Sequence, residues 1–187
     1  FNNWDFIFMH LPYCFQARRT FVEIYMQENS NIEYDPTNKE QLKLISKSEE
    51  YLNFVHQTIY PSEIASGQVG NMYTGSIFLG MLSTFCYHLK QKSNIDNQKM
   101  GFIAYGSGSK SKVFEGVVQP GWEQAISKTT LFETLDASTE IGIETYESLH
   151  RKELKNSVLS PKNEYILDHI ENENPVLLGA RYYTFVD

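Results

Sequence analysis

Between Gly67 and Tyr87 the chain passes from Gly-Gln-Val-Gly-Asn-Met-Tyr-Thr-Gly-Ser, residues 67–76, straight into a segment whose apolar positions Phe78, Met81, Leu82 and Phe85 have the spacing of one helical face. A glycine-punctuated turn that delivers one amide side chain, Asn71, to a helix N-terminus constrains everything around it. The free N–H groups and positive dipole end at such a place suit a carbonyl, a carboxylate or a developing oxyanion. The rest of the fold must therefore leave that end open and bring partners to it. Two stretches have the composition to do so: Asp5–Tyr13 (DFIFMHLPY), with His10, and Gly101–Ser109 (GFIAYGSGS).

Trp4–Met9 is an almost unbroken apolar run that stops at His10-Leu11-Pro12, the pattern of a strand buried on both faces and ended where proline removes a donor. His10 then sits at the C-terminal edge of a strand, where open α/β sheets gather ligands. A strand-end histidine bonded only to backbone is the commoner arrangement, so this segment alone leaves both readings open. Cys14–Glu28 carries Phe15, Arg18, Val22 and Tyr25 at helical intervals, with Arg18 and Arg19 early in the helix. Cations are unfavourable at a helix start, so the pair points either to an anion outside the helix or to a plain solvated surface. Asn29–Asn38 is a polar loop, and Lys39–His56 has the pattern of one amphipathic helix through Leu42, Ile45, Leu52 and Val55. Thr58–Pro61 is expected as a brief strand before the turn.

Beyond the helix, Ser93–Lys99 is a polar connection and Met100–Tyr105 a second apolar strand, leading into Gly106-Ser107-Gly108-Ser109. Val113–Val118 alternates, which predicts an antiparallel pair across that loop. The loop leads from strand to strand and so matches no phosphate-loop or dinucleotide pattern, which leads into a helix. Leu131–Arg151 is helical in its second half, with Ile143, Tyr146 and His150 on one stripe. Residues 156–174 are charged and loosely patterned, and Leu177–Val186 has the character of a terminal strand. The order of elements predicts an α/β fold with a mixed sheet and flanking helices.

The formal charge of −7, with no run of Lys and Arg, argues against nucleic-acid binding. Two cysteines, Cys14 and Cys86, match neither a disulfide framework nor a metal pattern and suit a reducing, cytoplasmic setting. No apolar run reaches membrane-span length, and the start has no signal-peptide form. At 187 residues the chain has the length of one domain or of a piece of a larger one. Opening directly into an apolar strand without an initiator Met, it reads as cut from something longer.

His10, Asn71 and the Gly106–Ser107 backbone together would offer one group titrating near neutral pH, one amide donor and one or two N–H donors. Those parts hold a thioester carbonyl and stabilise its enolate or tetrahedral alkoxide. An attacking group is missing. Cys14 and Cys86 both fall where packing is expected, whereas a reactive thiolate needs an accessible, electropositive setting. No His, Cys, Asp and Glu cluster has metal-ligand spacing, and Ala104-Tyr105-Gly106-Ser107-Gly108 lacks the first glycine of a nucleophile elbow.

The strings His10-Leu11-Pro12-Tyr13, Val69-Gly70-Asn71-Met72-Tyr73-Thr74-Gly75-Ser76 and Tyr105-Gly106-Ser107-Gly108-Ser109, in that order, resemble the C-terminal half of hydroxymethylglutaryl-CoA synthase. Leu135–Glu140 and on to Tyr146 is similar to the family's region after the hairpin, so the resemblance covers nearly the whole chain. It implies residues 1–187 of a C-terminal domain, an incomplete half of a thiolase-like layered αβαβα fold that is normally dimerised. The activity implied is condensation of acetyl-CoA with acetoacetyl-CoA in the mevalonate pathway, through an acetyl-cysteine. No metal or cofactor is implied, since the CoA thioesters are substrates. The cysteine and the general acid/base glutamate belong to the protein's own N-terminal half, which this chain lacks, so the chain alone is expected to be inactive.

Carried over by position, His10 corresponds to the histidine at the acetoacetyl thioester and Asn71 to the asparagine beside it. Ser107 with the Gly106 backbone would lie at the acyl group, and Pro12, Tyr73 and Arg19 would also bind substrate. One departure stands out. The family often places a lysine five residues after the histidine to meet CoA phosphates; here that residue is Phe15, and Arg19, nine after His10, falls where a second family cation is usual. Two rival readings stay open: a synthase acting on carrier-protein-bound β-ketoacyl groups in polyketide branching, favoured by Phe15, and a non-catalytic thiolase-like subunit.

Overall fold

The computed structural model describes residues 1–29, 34–35, 37–106, 110–154 and 156–187, which divide into two compact units, Phe1–Ser138 and Thr139–Asp187. The first is a helix-flanked mixed sheet. Strand β1 (Phe6–Met9) pairs in parallel with β2 (Lys99–Gly106), which pairs antiparallel with β3 (Lys110–Val117). The five helices between β1 and β2 provide the long crossover that parallel pairing requires: α1 (Gln16–Glu28), α2 (Lys39–Ile45), α3 (Glu49–Thr58), α4 (Tyr60–Val69) and α5 (Ser76–Gln91). Short helices α6 (Trp122–Ile126) and α7 (Leu131–Asp136) follow the hairpin.

Every residue of β1 is buried, as its unbroken apolar run predicts. Ile7 and Met9 pack into a cluster with Phe21, Val22 and Met26 of α1 and Tyr51 and Val55 of α3. Phe6 and Phe8 face the opposite way, toward Ile77, Met81, Phe85 and Leu89 of α5 and toward Trp122. The sheet therefore has helices on both faces. Phe78, expected on the buried stripe of α5, is instead exposed.

Two expectations are corrected. Thr58–Pro61 is not a strand: α3 runs to Thr58 and α4 starts at Tyr60, with Pro61 in its first turn, where a missing N–H costs nothing. Helix α4 then lies against α5 along small side chains. Ser83 Oγ donates to the Pro61 carbonyl at 2.7 Å, and a Cβ on Gly80 would stand 3.3 Å from that of Ser62. The extent of α4, to Val69, also absorbs Gly67 and leaves only residues 70–75 outside the two helices. Second, Lys39–His56 is two helices rather than one. Ser48 ends the run by capping α3, its hydroxyl accepting from the Tyr51 amide with Glu49 and Glu50 in the first turn.

The second unit holds α8 (Ile143–His150) and a two-stranded antiparallel sheet of β4 (Glu164–Ile170) and β5 (Arg181–Val186). Strand β4 lies inside the segment whose sequence showed no clear pattern.

Candidate active site

Where β1 ends, His10 continues the pairing, its amide donating to the Ile103 carbonyl at 3.3 Å. The Tyr105 hydroxyl donates to the His10 carbonyl at 3.1 Å, and the two rings meet edge to face, 5.2 Å between centroids. Burial raises the Tyr105 phenol above its ordinary range, so it stays a donor at neutral pH.

At the other wall, the chain leaves α4 through Gly70 at φ +81°, makes a single 3-10 turn at Tyr73–Gly75 and enters α5 at Ser76. Asn71 Oδ1 accepts from the Tyr73 amide at 2.8 Å, closing an Asx turn that commits its carbonyl end and leaves its NH2 as the donating end. Tyr73 takes φ +51°, a left-handed backbone unusual for a bulky residue. Its carbonyl accepts from the hydroxyl of Ser76 at 2.8 Å, and that hydroxyl also meets His10 Nδ1 at 2.7 Å and the Leu11 amide at 2.9 Å. The first turn of α5 contains no acidic side chain, so its positive end is not neutralised locally.

Among the predicted site residues, His10, Asn71, Tyr73 and Gly106 line one cavity of about 380 Å³, completed by Thr74, Ile77, Ala104 and Tyr105. Two others stand outside its wall. Pro12 is half-buried. Arg19 is exposed, donates to the Tyr13 hydroxyl at 3.0 Å and lines a separate cavity of about 340 Å³ with Arg18, Lys47 and Leu52. Ser107 lies outside the described residues. Ser76 and Tyr105 were not singled out in the sequence. The available signal for Ser76 was a small polar residue opening an otherwise apolar helix.

Of the pair that suggested an anion, Arg18 already has one: Glu63 of α4, buried to 4% exposure, accepts from its Nε through both oxygens at 3.0 Å. Both cysteines are free; Cys14 is half-buried and Cys86 buried, and burial pushes the Cys86 thiol up, away from the thiolate. Among the described residues no group of three His, Cys, Asp or Glu could hold a metal ion, and no helix is long and apolar enough to cross a membrane.

A mixed sheet with helices on both faces, with a histidine and an asparagine lining one cleft at its edge, defines an α/β domain with a candidate site at the end of β1. The family profile described as "Hydroxymethylglutaryl-coenzyme A synthase C terminal" matches residues 15–173, and the chain belongs to that family. Asn71, Tyr73 and Gly106 fall inside the match, and His10 lies just ahead of it. A hydroxymethylglutaryl-CoA synthase of Enterococcus faecalis is 27% identical over 176 residues, covering 92% of this chain and 40% of the relative. One from Haloferax volcanii is 26% identical over 118 residues, 63% of this chain and 26% of that protein. In fold, the chain is similar to MvaS in complex with 3-hydroxy-3-methylglutaryl coenzyme A (TM-score 0.73, 20% identity, 99% of this chain and 42% of that one). It is also similar to PksG, an HMG-CoA synthase from Bacillus subtilis (TM-score 0.67, 16% identity, 100% and 44%). The chain thus spans about two fifths of the length of the Enterococcus relative and of these structures.

Proposed function

We propose that this chain is the acetoacetyl-CoA side of a hydroxymethylglutaryl-CoA synthase that works as a homodimer in the cytoplasm, its acetyl-cysteine carried by the protein's own N-terminal half. The observation that supports this most directly is the shared cavity of His10 and Asn71 in a chain of this family. In the reaction, a carboxylate of the N-terminal half removes a proton from the acetyl methyl, and the carbanion attacks the C3 carbonyl of acetoacetyl-CoA. The new C–C bond pushes the carbonyl electron pair onto oxygen, and the alkoxide takes a proton from the His10 imidazolium. Asn71 donates to the thioester carbonyl from its NH2 end. Water then cleaves the cysteine thioester, releasing 3-hydroxy-3-methylglutaryl-CoA and restoring the thiol.

The test uses the intact protein that contains this chain. His10→Ala is expected to leave cysteine acetylation by labelled acetyl-CoA largely intact and to cut condensation by a factor on the order of 10² or more. Equal loss of both steps would overturn the role of His10, and an intact protein without acetylation or condensation would favour the non-catalytic reading.

A second reading has its own support. Phe15 stands where the family often has a phosphate-binding lysine, and the similar structures include the HMG synthase of the curacin biosynthetic pathway in complex with apo donor-ACP (TM-score 0.66, 19% identity, 98% of this chain and 44% of that one). Turnover of acetoacetyl-CoA against its carrier-protein thioester separates the two substrates.

A further inference from the structure

Ser76 is fully buried, and its hydroxyl is the meeting point of three groups: the Tyr73 carbonyl at 2.8 Å, the Leu11 amide at 2.9 Å and His10 Nδ1 at 2.7 Å. A hydroxyl has one proton to give and two lone pairs to share. The carbonyl can only accept, so the Ser76 proton points at Tyr73. The amide can only donate, so it occupies one lone pair. What remains for His10 is the second lone pair, which requires Nδ1 to arrive with a proton on it.

We propose that Ser76 is the positioning residue that holds His10 in the Nδ1–H form and makes Nε2 the nitrogen that gains and loses the catalytic proton. The assignment of the tautomer rests on hydrogen-bond valence alone; its consequence for the reaction rests on the function proposed above. Which ring nitrogen carries the proton is set by the bond that the other one makes. When His10 is neutral, Nε2 presents a lone pair. Once His10 is protonated, Nε2–H can donate to a carbonyl oxygen or an alkoxide. The Nδ1–H bond to Ser76 is the same in both states, so the ring keeps its orientation through the proton cycle. Were Ser76 instead the donor to Nδ1, each protonation would force the hydroxyl to rotate.

Two neighbours fix this arrangement. The left-handed backbone of Tyr73 turns its carbonyl onto Ser76, where it accepts from both the amide and the hydroxyl. The Tyr105 hydroxyl holds the His10 carbonyl, and the Tyr105 ring meets the imidazole edge to face.

The experiment is nitrogen NMR on the intact protein carrying this chain, with ¹⁵N-labelled histidine and the His10 signals assigned by their loss in His10→Gln. In its neutral form His10 is expected to show a protonated Nδ1 and a bare Nε2; Ser76→Ala loses that preference and Ser76→Thr, which keeps the hydroxyl, retains it. In the kinetics, Ser76→Ala is expected to lower kcat for condensation on the order of tenfold or more, below the full contribution of an acid–base group. KM and cysteine acetylation stay within about twofold, and the pH profile of kcat shifts with the tautomer. A bare Nδ1 in the unmodified protein overturns the proposal, as does a Ser76→Ala protein whose tautomer and pH profile are unchanged. Should Ser76→Ala not fold, the spectrum of the unmodified protein decides. An intact protein that condenses nothing would sink the proposed function while leaving the tautomer to be read.

Discussion

Arg18 holds Glu63 through both carboxylate oxygens, with Nε bonds of 3.0 Å each, and so ties the helix that follows His10 to the helix that precedes Asn71. Burial raises Glu63 while the pairing raises Arg18, so neither charge is at ease alone. Removing the cation leaves a carboxylate with almost no access to water. Arg18→Ala is therefore expected to destabilise the protein by about 3 kcal/mol, and the double change Arg18→Met with Glu63→Leu by much less, because replacing both partners avoids an orphaned charge. Urea unfolding of the three proteins checks this; equal losses in the single and double variants would mean that the orphaned Glu63 carboxylate is not what the single change costs.

His88 has both ring nitrogens buried without a hydrogen-bond partner, packed against the rings of Phe6 and Tyr87, and desolvation lowers its pKa. The folded protein resists the proton that the unfolded chain accepts near pH 6.5. Stability from this group is thus full above that pH and declines as the pH falls from there toward the depressed folded value. His88→Leu is expected to flatten the difference in urea midpoint between pH 7.5 and pH 5.5. An unchanged difference would assign the pH dependence elsewhere.

Gly101 lies under the indole of Trp4 so closely that a Cβ there would stand 2.0 Å from the ring. The ring is also held by Nε1, which donates to Glu115 at 2.5 Å. Gly101→Ala is expected to cost about 1–3 kcal/mol as overpacking. Added to Trp4→Ala it should cost much less, since the two residues share one contact. Thermal melts of the single and double variants measure the coupling.

Tyr73 is 75% exposed and carries its φ of +51° with little packing to offset it. Asparagine tolerates that backbone better. Tyr73→Asn is expected to raise stability by about 1 kcal/mol while removing part of the cavity wall, so the melting temperature should rise and, if the function proposed above holds, KM for the acetoacetyl thioester should rise with it. A lower melting temperature would show that the tyrosine ring packs more than its exposure indicates.

Much of this was legible in the letters because the signals were local. The unbroken apolar run of β1 predicted burial on both faces, and the alternation in residues 113–118 predicted the hairpin. His10, Asn71 and Gly106 could be placed together because each ends or begins an element. The break at residues 46–48 was hidden because Leu42, Ile45, Leu52 and Val55 keep helical phase across it, although Ser48 followed by two glutamates carried the cap signal. Thr58–Pro61 looked extended because its composition suits strands; packing against α5 overrode that preference. Strand β4 escaped because the apolar and polar positions of a largely exposed two-stranded ribbon do not separate cleanly. Ser76 was missed as a partner of His10 because a serine at the start of a helix reads as part of the turn, and only the packing of α5 against the end of β1 brings its hydroxyl to the imidazole.

The seam of Ser62, Gly80 and Ser83 has one more effect. Its hydroxyls are satisfied inside the contact, and its backbones lie too close for either helix to slide or swell, so α4 and α5 behave as a single stiff fork. Asn71 hangs in the six-residue gap at the tip of that fork. The position of Asn71 opposite His10 is then set by the backbone of residues 70–75 and by nothing along the fork itself.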